Sequence, residues 1–174
     1  MISHIALIIF ISSAVYFLLN DTALDLLIIP LIAGISYAFM IRDKKNTKKY
    51  RFTDWAITTP IMLYGLLKAN NTPLTPTLVL ILLDLLMVGS TALGEKTDSN
   101  HWFLIGGACF LPIAYALYHL KATKPAAYLT LLVWSIYPFI WILHKDNMIK
   151  LDHANISFTV LDIISKVGML DLLM

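Results

Sequence analysis

Apolar and polar positions along this chain fall into long blocks, not into a short repeat. Seven runs rich in Leu, Ile, Val, Phe and Ala each approach the roughly 20 residues that a helix needs to cross a hydrocarbon core of about 30 Å. They are Ile2 to Leu19, Thr22 to Ile41, Tyr50 to Lys68, Thr75 to Leu93, Trp102 to Leu120, Ala126 to His144 and Ile156 to Met174. The breaks between them read "NDT", "RDKKNTKK", "ANNTPLTP", "GEKTDSN", "KATKP" and "KDNMIKLDHAN". Breaks this short join antiparallel neighbours. The pattern therefore predicts an all-α, seven-transmembrane-helix bundle in which residues 1–174 form a single domain. The first run has His4 but no Lys or Arg ahead of it, so it lacks the basic start of a signal peptide and reads as a permanent first span.

Composition agrees with the blocks. Of 174 residues, 59% are hydrophobic and 14% charged, and the mean hydropathy is +0.76; a soluble domain has about 45–50% apolar and 25% charged residues. The chain reads as an integral, multi-pass membrane protein that meets lipid along most of its surface. A formal net charge of +2, with no basic run interleaved with aromatics, sets nucleic acid aside. One cysteine, Cys109, allows neither a disulfide framework nor a metal cluster and reads as a small core residue. Pro30, Pro60, Pro112 and Pro138 fall inside apolar runs, which predicts kinks around an internal cavity.

Depth then separates the ionisable residues. Most of the 13 Lys and Arg lie in the breaks, whereas Asp54, Asp84, Asp162, Asp171 and Lys166 lie inside runs, with Arg51 near an end and Asp25 early in the second. An ionisable group at a bilayer centre costs roughly 3 kcal/mol or more, so it is usually paired. Asp162 and Lys166 are four apart and share a helix face; a structural ion pair and a functional one are both compatible with that spacing. Arg51, Asp54 and Thr58 form one stripe on the third run, suited either to a proton or ion path or to a satisfied polar network. Trp134, Tyr137, Pro138 and Trp141 form an aromatic stripe on the sixth, Trp55 offers a second wall, and Trp102 suits an interfacial anchor. A lysine amine in an apolar aromatic box beside a carboxylate is an environment in which a carbonyl compound can condense to a protonated Schiff base.

Three stretches, "RFTDWAITTP", "WSIYPFIW" and "LDIISKVG", occur in the order and spacing of the type 1 (microbial) rhodopsins, and the chain resembles that family over all seven runs. The resemblance implies all-trans retinal covalently bound to Lys166, Asp54 as counterion and proton acceptor, and Asp162 as second counterion. It implies a proton path through Arg51, Thr58 and Tyr37, and a retinal pocket of Trp55, Thr59, Met62, Asp84, Met87, Trp134, Tyr137, Pro138 and Trp141. It also implies a photoreceptor or light-driven ion transporter in place of an enzyme, assembled as a homo-oligomer, a trimer or a pentamer.

Several positions depart from the family pattern. Gly65 stands where proton pumps carry a carboxylic donor, leaving Asp25 as a surrogate and Asp171 as a weaker one. Ser36 replaces a histidine found in one subfamily, and the paired glutamates of the release side are absent, with His144, Asp146, Asp152 and His153 nearby. The expected activity is a light-driven proton pump, weak or slow for want of a donor; the alternatives are a photosensor acting through a separate partner and a light-gated cation channel. Family orientation puts the N-terminus outside. It leaves only Lys68, Lys121 and Lys124 in the cytoplasmic connections, against Arg42, Lys44, Lys45, Lys48, Lys49, Lys96, Lys145 and Lys150 opposite. The positive-inside rule points the other way, and an inverted chain would carry protons inward.

Overall fold

A computed structural model of the chain describes residues 1–20 and 24–173, without the side chain of Asp25. The apolar runs become helices: α1 (Ile2–Leu19), α2 (Leu24–Arg42), α3 (Thr47–Ala69), α4 (Leu74–Thr97), α5 (Asn100–His119), α6 (Lys124–Lys145) and α7 (Leu151–Ile163). From α7 the chain passes through a π turn, Ile164–Gly168, into a last short helix, α8 (Met169–Leu173). No strand occurs among the described residues. Consecutive helices pack together and α1 closes on α7, which makes a ring around a common interior.

Two helices start three or more residues earlier than the apolar blocks suggest. A 3-10 turn, Lys44–Asn46, leads directly into α3 at Thr47, and α7 begins at Leu151, so part of each polar break is helical. Hydropathy marks where lipid begins and not where the helix begins. Length and apolar composition alone qualify α1, α4, α5 and α6 as membrane spans; α3 falls short because its polar and charged residues lower its hydropathy, and α7 because it has only 13 residues before the π turn.

The surface inverts the soluble pattern. On α1, Ala6, Phe10, Ala14 and Phe17 face inward at helical spacing, while Ile5, Ile8, Ile11, Val15 and Leu18 are exposed where acyl chains would cover them. Three helix ends turn through left-handed residues, Asn71, Asp98 and Asn147, the types that best tolerate positive φ. In the second connection Asp43 accepts hydrogen bonds from Asn46 (2.7 Å) and Tyr50 (3.2 Å). The Asn46 bond in particular holds its carboxyl below the usual carboxylate value.

Along its axis the bundle has two unlike halves. Where α3 ends and α6 begins, Phe17, Leu27, Leu63, Leu66, Leu67, Ile113, Leu117 and Leu170 form a continuous apolar cluster. Asn70 closes that end: its Oδ1 accepts from the backbone N–H groups of Lys121 (3.0 Å) and Ala122 (2.8 Å), and its Nδ2 donates to Leu66 O and Thr123 Oγ1. The opposite half holds a cavity. Of the four prolines inside helices, Pro138 lines it. Cys109, expected in the core, is only half-buried on α5, because that helix turns a narrow face inward, with Gly106, Ile113 and Leu117 on it.

Candidate functional site

Lys166 lies within the π turn, a device that re-aims side chains and often marks function. Its side chain is 1% exposed, and Nζ is hydrogen-bonded to Asp54 Oδ2 on α3 and stands 3.8 Å from Asp162 Oδ1 on its own helix. The interior therefore holds one ammonium between two carboxylates. Removing such charges from water is costly unless they are paired and hydrogen-bonded.

Neighbours distinguish the two carboxylates. Asp162 accepts from Tyr37 OH (2.7 Å), Trp55 Nε1 (2.8 Å) and Tyr137 OH (2.8 Å), donors drawn from α2, α3 and α6. Those donors engage both of its oxygens. Asp54 has far less. Thr58 Oγ1, one turn on in the same stripe, gives its better bond to the backbone oxygen of Asp54 (2.9 Å) and reaches Oδ1 only at 3.4 Å. Asp54 is thus tied chiefly to Lys166, whereas Asp162 is tied to three donors from three other helices.

A second buried cation lies on α3. Arg51 is buried, donates through Nη1 to Asn155 Oδ1 (3.0 Å) and lies with its guanidinium carbon 5.1 Å from the centre of the Phe158 ring. Its Nε has no protein partner among the described residues.

The cavity holds about 250 Å³ and is walled almost wholly by apolar atoms. Its lining climbs the helices in steps of about one turn: Thr59, Trp55, Arg51 and Lys48 on α3; Met87, Thr91 and Glu95 on α4; Phe110, Gly106 and Phe103 on α5; Trp134, Tyr137, Pro138, Trp141 and His144 on α6; and Lys166 of the π turn with Asp162, Phe158 and Asn155 of α7. At 1.5 Å per residue, the span from Thr59 to Lys48 is about 16 Å. Lys166 marks the closed end. Trp55 meets Tyr137 edge-on at 5.0 Å, and Phe103 stacks on Trp141 at 4.6 Å, so the walls are flat rings fixed by one another.

Two residues expected in the pocket wall do not line this cavity. Asp84 lies behind it, buried, with Oδ2 accepting from Thr59 (2.8 Å), and Met62 is packed into the apolar cluster. Both sit on the inner face of their helices but one layer back, because Thr59 and Met87 reach the opening first. At Gly65 an added Cβ would lie 2.5 Å from Leu26 Cδ2: leucine fills the space of the missing side chain. Asp171 is exposed at the chain's end and the Asp25 side chain is outside the described residues. Asp146, Asp152 and His153 are exposed, whereas His144 lines the cavity.

Asn155, Phe158 and Glu95 are not singled out by the sequence pattern. Asn155 and Phe158 are seven and four residues before Asp162 on one face, a spacing that could have found them had "DHAN" not read as loop. Glu95 lies in the break "GEKTDSN", and only its tertiary partners reveal it.

Comparison with known proteins places these observations. Residues 1–173 match the family described as bacteriorhodopsin-like protein. An opsin-like protein of Fusarium fujikuroi is 30% identical over 67% of this chain and 43% of its own length. Bacteriorhodopsin of Halobacterium salinarum is 27% identical over 68% and 52%, and sensory rhodopsin-2 of Haloarcula vallismortis 27% over 82% and 72%. The chain spans about half the length of the first two relatives. Among solved structures, a light-driven proton pump of Leptosphaeria maculans superposes with a TM-score of 0.89 at 19% identity, covering 99% of this chain and 92% of that one. Cyanorhodopsin of Calothrix sp. NIES-2098 gives 0.89 at 20%, covering 99% and 91%.

Proposed function

The chain belongs to the bacteriorhodopsin-like family, and on that footing we propose that it is a retinal-binding, light-driven proton pump that moves protons out of the cell slowly. The carrying observation is the Lys166–Asp54 pair at the closed end of an apolar cavity, with Asp162 locked by three donors. The residues fit retinal: a buried primary amine, flat aromatic walls and a surplus carboxylate to balance a cation at Nζ. Bound there as a Schiff base of Lys166, retinal supplies light absorption and an isomerisation that turns the N–H bond.

The protein's part is to set where the proton goes. Nζ holds it against Asp54 Oδ2, so Asp54 is the carboxylate placed to accept the proton from the nitrogen of Lys166: the N–H bond would break as the O–H bond at Asp54 forms, leaving both groups neutral. Asp162 does not compete, since a proton there would displace Tyr37, Trp55 or Tyr137. Arg51 stabilises the remaining negative charge from the open side. With the N-terminus outside, the cavity faces the exterior and the apolar cluster faces the cytoplasm.

Retinal-loaded cells in unbuffered medium should acidify it on illumination, and a protonophore should abolish the signal. Alkalinisation would mean the inverted orientation, no change a sensor, and a current reversing with voltage a channel. The same assay with Asp54→Asn should show transport lower by about a hundredfold or more, the scale of a lost proton acceptor.

One observation favours the photosensory alternative. Leu26 occupies the space at Gly65, and among the described residues the cluster around it is built of apolar side chains, with the Asp25 side chain outside them. Replacing Gly65 by aspartate together with Leu26→Ala, which makes room for it, should shorten recovery after a flash by about tenfold or more. Time-resolved visible absorbance measures this directly. An unchanged recovery would mean that the plug does not limit the cycle.

A further inference from the structure

The open end of the cavity carries a polar cluster that the Lys166 site does not use. Glu95, at the end of α4, accepts at Oε2 from Trp141 Nε1 (2.6 Å) and at Oε1 from Lys48 of α3. The groups facing it are Lys48 from α3 and Trp141 and His144 from α6, while α5 brings Phe103 against the Trp141 ring. Glu95 is 20% exposed and Lys48 48% exposed, so the cluster lies at the boundary between cavity and solvent. Glu95, Lys48, His144, Arg51 and Lys166 all line one continuous space.

We propose that Glu95 is the exit relay of this chain, the carboxylate that takes the outgoing proton at the mouth of the cavity and passes it to bulk water. The proposal rests on the pump reading above. In the step, an O–H bond at Asp54 breaks as water in the cavity, beside Arg51 and Asn155, accepts the proton. An O–H bond then forms at Glu95, weakening its bonds to Lys48 and Trp141, and breaks again as water outside takes the proton. Because Lys48 and Trp141 both favour the charged carboxylate, the proton is handed on and not stored. The bond to Trp141 also ties the relay to the pocket wall, which gives its protonation an optical signature.

Two measurements test this. In retinal-loaded protein, a pH-indicator dye should report proton appearance in the medium about tenfold later in Glu95→Gln than in wild type, with unchanged deprotonation at Nζ and partial rescue by Glu95→Asp. Unchanged dye kinetics would overturn the proposal. In retinal-free protein, acid titration should change Trp141 emission in a step missing from both Glu95→Gln and Trp141→Phe. This second test is independent of pumping: a wild type that releases no protons contradicts the pump, and with it the relay, whatever the titration shows. A wild-type titration identical to that of Glu95→Gln overturns the relay even if the pump stands.

Discussion

Replacing Lys166 by alanine is expected to abolish visible absorbance completely after incubation with all-trans retinal, since no other amine lines the closed end of the cavity among the described residues. The substitution also leaves Asp54 and Asp162 facing each other without the ammonium, and breaking a buried pair in this way costs about 3–5 kcal/mol. Lys166→Arg separates the two effects. It keeps the positive charge between the carboxylates but cannot form the Schiff base, so it should fold, bind no retinal covalently and remain colourless. Visible absorbance in either variant would remove the premise on which the proton chemistry rests.

Asp162→Ala should be the most damaging substitution for stability. It strands three donors at once, Tyr37 OH, Trp55 Nε1 and Tyr137 OH, which come from three helices. An unsatisfied buried donor costs about 1–3 kcal/mol, so the expected loss is on the order of 5 kcal/mol, read as thermal unfolding of the retinal-free protein in detergent. Asp162→Asn keeps an acceptor oxygen while removing the charge and should lose about half as much. Equal losses would show that charge, and not the donor network, governs the site.

Much of this site is legible in the sequence because helical periodicity by itself assigns residues to shared faces. Arg51 with Asp54 and Thr58, Asp162 with Lys166, and the stripe from Trp134 to Trp141 all follow from steps of three or four. The contacts across the bundle do not follow. Nor does the choice of acceptor atom: Thr58 gives its hydroxyl chiefly to the backbone oxygen of Asp54 and not to the carboxylate, a choice made by the rotamer and invisible to spacing. Leu26 fills the gap at Gly65 because α2 comes close to α3 there, and no pattern within either helix reports that distance. Asn155 and Glu95 lie in breaks defined by polarity, although both stand on helices that continue past the apolar run. The π turn at Lys166 has no composition signature in "ISKVG", which reads as ordinary helix.

The unlike halves of the bundle also decide where an electrical potential acts. A cavity filled by water and ions would bring the potential of the side it opens to inward toward Lys166, so most of the voltage drop would fall across the apolar cluster around Leu26, Leu63 and Leu66. A unit charge crossing the whole drop gains or loses about 2.3 kcal/mol per 100 mV. For the pump proposed above, with the N-terminus outside, proton departure through the cavity would be nearly voltage-independent and proton return through the leucines would carry the electrogenic work. The membrane itself would then be the brake on the cycle, slowing the return step as the cell charges.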